Sequence, residues 1–322
     1  MKRRGFLKLA GGAAIAWPLT AQAQKVRVIG VLTLSAKPGV REEVFQKRLR
    51  ELGWVEGKNI RIEYRRAANQ VERLPALAEE LVKLKADLII AFATPAVAAA
   101  KEATRTIPIV SMSADPVGNG FVASLARPGG NITGVSMMMP ALTGKQLELF
   151  REISPKLSRI AYLAHGSDPS HKLFLKETED AARSLGIRVQ PLIVTKPEEI
   201  ENAFAALSRE RAEALIVQPL FVNTMGLGQR IADLAMKNRL PSISQGDVYP
   251  DAGGLMYFGP DPLATYLLVA NYADRVLKGA NPADLPMEQP QKFQLSINMK
   301  TAKALGITIP QSVLVRADRV IE

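Results

Sequence analysis

Hydrophobic and polar positions along this chain fall into repeating blocks, and each block predicts a strand followed by a helix. Residues 26–33 form a Val/Ile-rich run, the pattern of a buried strand. Residues 40–52 carry Val44, Leu49 and Leu52 at helical spacing, and Gly53 supplies a stop. Residues 60–64 alternate as a second strand. Leu74, Leu77, Leu81 and Leu84 mark one face of a second helix. Residues 87–93 make a third strand. An Ala-rich helix over 94–104 opens on Thr94-Pro95, an N-cap followed by a proline at the first helical position. Residues 108–112 make a fourth strand.

The same cycle then restarts. Strands are expected at 159–164, 188–194, 214–218 and 241–244, with helices at 169–185, 197–209 and 224–238. Short strands alternating with helices imply βαβ units and parallel sheets, with right-handed crossovers that place helices on both faces. The order of elements repeats without any residue-level repeat. The expected fold is therefore α/β, with two doubly wound parallel-sheet lobes. Gly-rich or Pro-rich stretches at 129–136, 253–259 and 286–290 supply three crossings between them. Lobe 1 is expected over 24–138 plus 259–290, and lobe 2 over 139–258 plus 291–322.

The N-terminus breaks this pattern. Lys2, Arg3 and Arg4 precede an apolar run over 9–19, too short for a bilayer, and Ala21-Gln22-Ala23 offers a small-x-small cleavage site. Residues 1–23 thus have the layout of a secretory signal peptide, and Arg3-Arg4 gives it a twin-arginine form. The expected location is the periplasm, with the signal removed. The signal carries four positive residues and no acid, so of the formal charge of +11 the remaining chain holds +7. Those charges are scattered and aromatics do not interleave with them, which excludes a nucleic-acid partner. Cysteine is absent and His165 and His171 are the only histidines, so neither a thiolate nor a Cys/His metal site can be assembled.

In open parallel sheets ligands sit beyond the carboxyl ends of the strands, where helix N-termini present free N–H groups. In the first half those loops hold Ser35, Thr94, Pro95, Ser113 and Asp115. In the second half they hold His165, Ser167, Asp168, Gln218, Phe221, Asn223, Gln245 and Asp247. Thr94 suits a carboxylate, and Asp115 suits an ammonium or a turn cap. Phe221, Tyr249 and Tyr257 are candidates to stack on an apolar ligand or to pack. These fourteen residues (without Tyr249) are the candidate ligand-binding set.

Several runs carry a resemblance: residues 51–65 (ELGWVEGKNIRIEYR), 73–78 (RLPALA), 115–118 (DPVG), 125–134 (LARPGGNITG), 252–256 (AGGLM) and 300–306 (KTAKALG). Over essentially all of residues 26–322 the chain resembles the ABC transporter substrate-binding protein family that includes binders of tryptophan and other aromatic amino acids. The resemblance implies a type I periplasmic-binding-protein fold, a small molecule in the interlobe cleft, no catalysis and no cofactor. It also implies a membrane permease as partner to a monomeric binding protein. An amino acid or related compound is the ligand it points to. Relatives often carry Asn-Pro where this chain has His165-Gly166-Ser167-Asp168-Pro169, which leaves specificity open.

Enzymatic readings find little support. Residues 118–123 fit G-x-G-x-x-A, but after the fourth strand rather than the first. No phosphate loop of the G-x-x-x-x-G-K-[ST] type and no G-x-S-x-G elbow occurs. A ligand sensor feeding a signalling partner would share the fold, and a cleft hydrolase built on a pair such as Asp115 and Asp247 is the remaining alternative.

Overall fold

The computed structural model describes residues 26–322; the expected signal at 1–23 lies outside the described residues. The first sheet has the order β2-β1-β3-β4-β5. It is built from β1 (Arg27–Thr33), β2 (Ile60–Arg66), β3 (Leu88–Phe92), β4 (Ile109–Ser113) and β5 (Ile132–Ser136), all parallel. Helices α1 (Val40–Glu51), α2 (Leu74–Lys83) and α3 (Thr94–Ala103) lie between the strands in sequence.

After α4 (Thr143–Ile153) the chain builds a second sheet. It comprises β6 (Arg159–His165), β7 (Arg188–Val194), β8 (Ala214–Val217), β9 (Ser242–Ser244), β10 (Met256–Pro260), β11 (Phe293–Asn298) and β12 (Arg319–Ile321). Its order is β12-β11-β10-β9-β8-β6-β7, parallel throughout except for the antiparallel β10–β11 pair. Its helices are α5 (His171–Ser184), α6 (Ile200–Glu210), α7 (Gly228–Lys237), α8 (Pro262–Leu277), α9 (Met299–Leu305) and α10 (Gln311–Leu314), of which α8 packs elsewhere.

Strand alternation divides each sheet's side chains between two cores. Ile29, Leu88, Ile90 and Phe92 face one layer, while Leu32, Ile89 and Ala91 face the other. In the second sheet Ile160, Tyr162 and Ile216 join the first layer, and Ala161, Leu163 and Leu215 join the second. This period-2 division of continuous apolar strands is the signature of a sheet covered on both faces. The fold is thus a two-lobed α/β architecture with two largely parallel sheets, as the repeated blocks predict.

Three elements depart from the sequence pattern. The run 129–136 reads as a junction, but Ile132–Ser136 is β5, and the first crossing is the segment after it, 137–142. The run 253–259 likewise contributes to β10, a strand of the second sheet. Helix α8 follows β10 and returns to the first sheet, packing on α1 and over β3–β5. Asp261 caps it, accepting from the backbone N–H groups of Leu263 and Ala264 at 3.0 and 3.1 Å. Trp54 Nε1 donates to Asp274 at 2.9 Å and Arg48 Nε to Asn271 at 2.9 Å, fixing α8 against α1. Before entering β11 the chain pairs Glu288 with Gly134 and Ser136 of β5, which makes the third crossing. No helix among the described residues is long and apolar enough to cross a membrane.

Candidate ligand-binding cleft

The carboxyl ends of both sheets converge on one cavity of about 810 Å³. Its first wall comes from the loops after β1, β3 and β4, through Ser35, Ala93, Thr94 and Ser113. Asp168 and Phe174 enter from the β6–α5 region, Asn223 follows β8, and Asp247 follows β9. Met137 and Met139 of the first crossing and Tyr266 of α8 complete it.

Helix α3 begins at Thr94, so Thr94 does not cap it in the way the sequence predicts. Ala93 is the N-cap and adopts φ +76°, a left-handed conformation rarely taken by a residue with a Cβ. This turn frees the Thr94 hydroxyl for other partners. Its oxygen accepts from the Ala114 N–H at 3.1 Å and from Ser170 Oγ at 3.2 Å, so Thr94 ties the two sheets' loops together. Its own hydroxyl proton remains to be donated. Ser113 Oγ, on the same wall, is buried without a hydrogen-bond partner among the described residues.

Asp168 is 4% exposed. Oδ1 accepts from the Ser170 N–H at 2.9 Å, and Oδ2 accepts from Gln218 Nε2 at 2.8 Å. Among the described residues no cationic side chain forms an ion pair with it. Burial therefore dominates and pushes its pKa up to about 6, against the opposing pull of the Ser170 hydrogen bonds and His171.

Of the other wall charges, all but Lys37 are engaged. Arg66 Nη2 donates to both carboxylate oxygens of Glu42, at 2.9 and 2.7 Å. Arg41 at the start of α1 pairs with Asp247 across the cleft. Asp261 is held by the α8 cap, and Lys37 is exposed. The remaining wall is apolar and aromatic. Phe92 and Tyr266 stack with ring centroids 4.8 Å apart and planes at 12°, and Met112, Met137, Met139 and Phe174 adjoin them.

Of the candidate residues, Ser35, Thr94, Ser113, Asp168, Asn223 and Asp247 line this cavity. Gln245 and Tyr257 line a small recess beside it. The others are not on the wall. Asp115 caps its own turn, accepting from the N–H groups of Val117 and Gly118. Pro95 is buried within the start of α3. His165 is also buried, which lowers its pKa, and its Nδ1 accepts from the Ser167 N–H at 3.2 Å, leaving Ser167 exposed. Phe221 packs against His165 at 5.5 Å, and Tyr249 is buried with its hydroxyl donating to Ser242. Gln218 stands behind the wall, where it positions Asp168.

Arg41, Arg66, Phe92 and Tyr266 are wall residues absent from the candidate set. Phe92 ends a predicted strand and was within reach of the strand-end rule. Arg66 ends β2 among Arg61 and Arg65, a cluster whose charge pattern reads as solvated surface. Tyr266 needed α8, whose Asp261-Pro262 start is a helix signal inside a stretch the pattern treats as connection.

Two sheets facing one cleft, joined by three crossings, define the periplasmic-binding-protein class. Residues 28–321 match the family described as ABC transporter substrate binding protein, and the chain belongs to that family, one of binding proteins and not of enzymes. It is 29% identical over 289 residues to a tyrosine-binding protein of Clostridioides difficile (strain R20291), covering 88% of this chain and 82% of that one. Among solved structures it is similar to the ABC domain in complex with L-Trp from Streptococcus pneumonia, at 28% identity and a TM-score of 0.83, with 92% of this chain and 100% of that chain covered. A ligand-free, open substrate-binding protein from Clostridium difficile aligns at 25% identity over 92% and 99% of the two chains, with a TM-score of 0.65.

Proposed function

We propose that this chain is the exported solute-binding component of an ABC importer and that it binds an aromatic α-amino acid by closure of two lobes. The observation that carries the ligand reading is Asp168. It is a buried carboxylate on the cavity wall with hydrogen-bond partners but no ion-pair partner among the described residues. A ligand ammonium would supply that counter-charge. The unspent Thr94 hydroxyl proton and Ser113 Oγ, beside the first turn of α3, suit the α-carboxylate. The Phe92–Tyr266 stack and the three methionines suit an aromatic side chain. The tyrosine-binding and tryptophan-bound relatives support the same reading.

Closure would move the first sheet together with α8 against the second sheet, in which β10 stays whole. The higher similarity to a ligand-bound relative than to an open one supports assigning this conformation to the closed form. Residues 1–23 act as a twin-arginine-type export signal in this reading, delivering the protein to the periplasm and to its permease.

The direct test is thermal unfolding against a panel of amino acids, organic acids and sugars. An aromatic L-amino acid at about a hundred times its Kd contributes about 2.7 kcal/mol, a rise of several degrees in Tm. A shift with organic acids or sugars and none with amino acids overturns the reading.

The closing motion has its own test. Arg41 and Asp247 are 206 residues apart in sequence and meet only when the lobes approach. Arg41→Met should raise the radius of gyration of the ligand-free protein and weaken ligand binding roughly tenfold, since a half-buried ion pair contributes on the order of 1 kcal/mol. Identical scattering profiles for the two proteins, with and without ligand, would remove the pair from the closure.

A further inference from the structure

Asp115-Pro116-Val117-Gly118-Asn119 forms a turn after β4 that has no part in the ligand contacts described above. The turn is closed by its own hydrogen bonds. The Asp115 carboxylate accepts from the N–H groups of Val117 and Gly118 at 3.1 and 2.8 Å. The Asp115 carbonyl accepts from the Asn119 N–H at 3.1 Å and from Asn119 Nδ2 at 2.6 Å. Although it belongs to the first sheet, the turn presses on the start of α5, beside the second sheet. A Cβ at Gly118 would stand 2.9 Å from Leu173 Cδ1 of α5 and 2.4 Å from Asp115 Oδ2, so the close approach depends on the missing side chain. From this turn Asn119 Nδ2 also donates to Ser170 Oγ at 3.0 Å.

Ser170 is where the turn meets the ligand site. It is fully buried. Its hydroxyl accepts from Asn119 and donates to Thr94 Oγ1 at 3.2 Å, both on loops of the first sheet. Its N–H donates to Asp168 Oδ1 at 2.9 Å, on the same loop of the second sheet. The two kinds of bond respond differently to lobe separation. The bond to Asp168 is local and survives it, whereas the bonds to Asn119 and Thr94 join the two lobes and exist only when these meet. Neither Asn119 nor Ser170 lines the cavity, so neither acts by touching the ligand.

We propose that Asn119 and Ser170 are positioning residues for the bound state. As the lobes close, the 115–119 turn latches onto the Ser170 hydroxyl and so fixes Thr94, at the carboxylate end of the ligand, relative to Asp168, at its ammonium end. The latch forms after the ligand has entered, so it governs retention rather than capture. This rests on the closure reading above.

Stopped-flow binding tests it, with whichever of L-tyrosine and L-tryptophan the wild-type protein holds more tightly, alongside X-ray scattering of the free and saturated protein. Ser170→Ala keeps the N–H on Asp168 and removes both interlobe bonds. It is expected to raise the dissociation rate about tenfold, and Asn119→Ala about fivefold, each with an association rate within about twofold of wild type. The doubly substituted protein should dissociate within about twofold of Ser170→Ala alone, because Asn119 acts through the Ser170 hydroxyl. Ligand-free unfolding of each variant checks the fold. Asn119 sits on a half-buried turn, so its variant keeps the test open should Ser170→Ala not fold. Wild-type dissociation rates in the single variants, or effects that multiply in the double, overturn the latch; if the wild type still contracts on binding, the closure reading stands. Identical wild-type scattering with and without ligand overturns closure and the latch with it.

Discussion

Asp168→Asn is expected to weaken amino-acid binding on the order of a hundredfold while leaving the ligand-free protein within about 2 kcal/mol of its original stability, because relief of the buried charge is offset by the loss of one acceptor for the Ser170 N–H or Gln218 Nε2. The two effects have one cause. The Asp168 carboxylate is held by Ser170 and Gln218, but burial has stripped it of water. In the empty cavity its charge is a cost, which is why its pKa stands at about 6 rather than at 3.8. In the complex the ammonium turns that cost into a charge-assisted hydrogen bond. Asparagine removes both the cost and the bond. A variant that loses binding together with stability beyond that range would instead mark Asp168 as a structural residue.

The same carboxylate sets a pH dependence. The bound ammonium favours the ionised form, so binding releases a proton wherever Asp168 starts protonated. Affinity should be flat above about pH 6 and fall about tenfold per pH unit below it. For folding the sign is opposite. A carboxyl whose folded pKa is raised holds its proton more tightly in the folded state. Its stabilising contribution is complete below 3.8 and is lost as pH rises through about 6. Titration calorimetry between pH 5 and 8 in buffers of different ionisation enthalpy reads the proton release directly. Affinity that does not change across that range removes Asp168 from the ligand's first contacts.

Gly134→Ala is expected to destabilise the protein by about 4 kcal/mol, combining a strained backbone with overpacking. Gly134 lies within β5 opposite Ser111 of β4, at φ +130°. A Cβ there would stand 2.3 Å from the Ser111 carbonyl oxygen and 2.7 Å from its nitrogen. Both obstacles are backbone, so the two strands would have to separate. Gly134 also accepts from the Glu288 N–H, so the shift would reach the third crossing. Gly130 is the control: a Cβ there meets nothing within 4 Å, and Gly130→Ala should change stability by less than about 1 kcal/mol. Equal denaturation midpoints for the two variants would contradict the β4–β5 register.

The first four strands and their helices were legible because each carries its own local signal. The Val/Ile runs, the Leu spacing of α2 and the stop at Gly53 are properties of short windows, and they hold wherever the chain is placed. Thr94 and Asp168 were legible for a related reason: both follow a strand, and parallel sheets put their ligands there. The strand-end rule also selected Asp115, His165 and Phe221, since it locates a loop but not the direction of a side chain. Those three are spent on a turn cap and on packing.

By itself the sequence determined the order of the first four strands in each half, the two-lobed class and the strand ends from which a cleft would be lined, because these follow from local hydrophobic periodicity. Only the tertiary structure decided which polar groups are already satisfied. Arg41 meets Asp247, Thr94 meets Ser170, and α8 carries Tyr266 onto Phe92. Such pairs depend on the relative placement of segments distant in sequence, on which no local pattern bears. The group left over, Asp168 with no ion-pair partner among the described residues, emerges only after those pairs are formed.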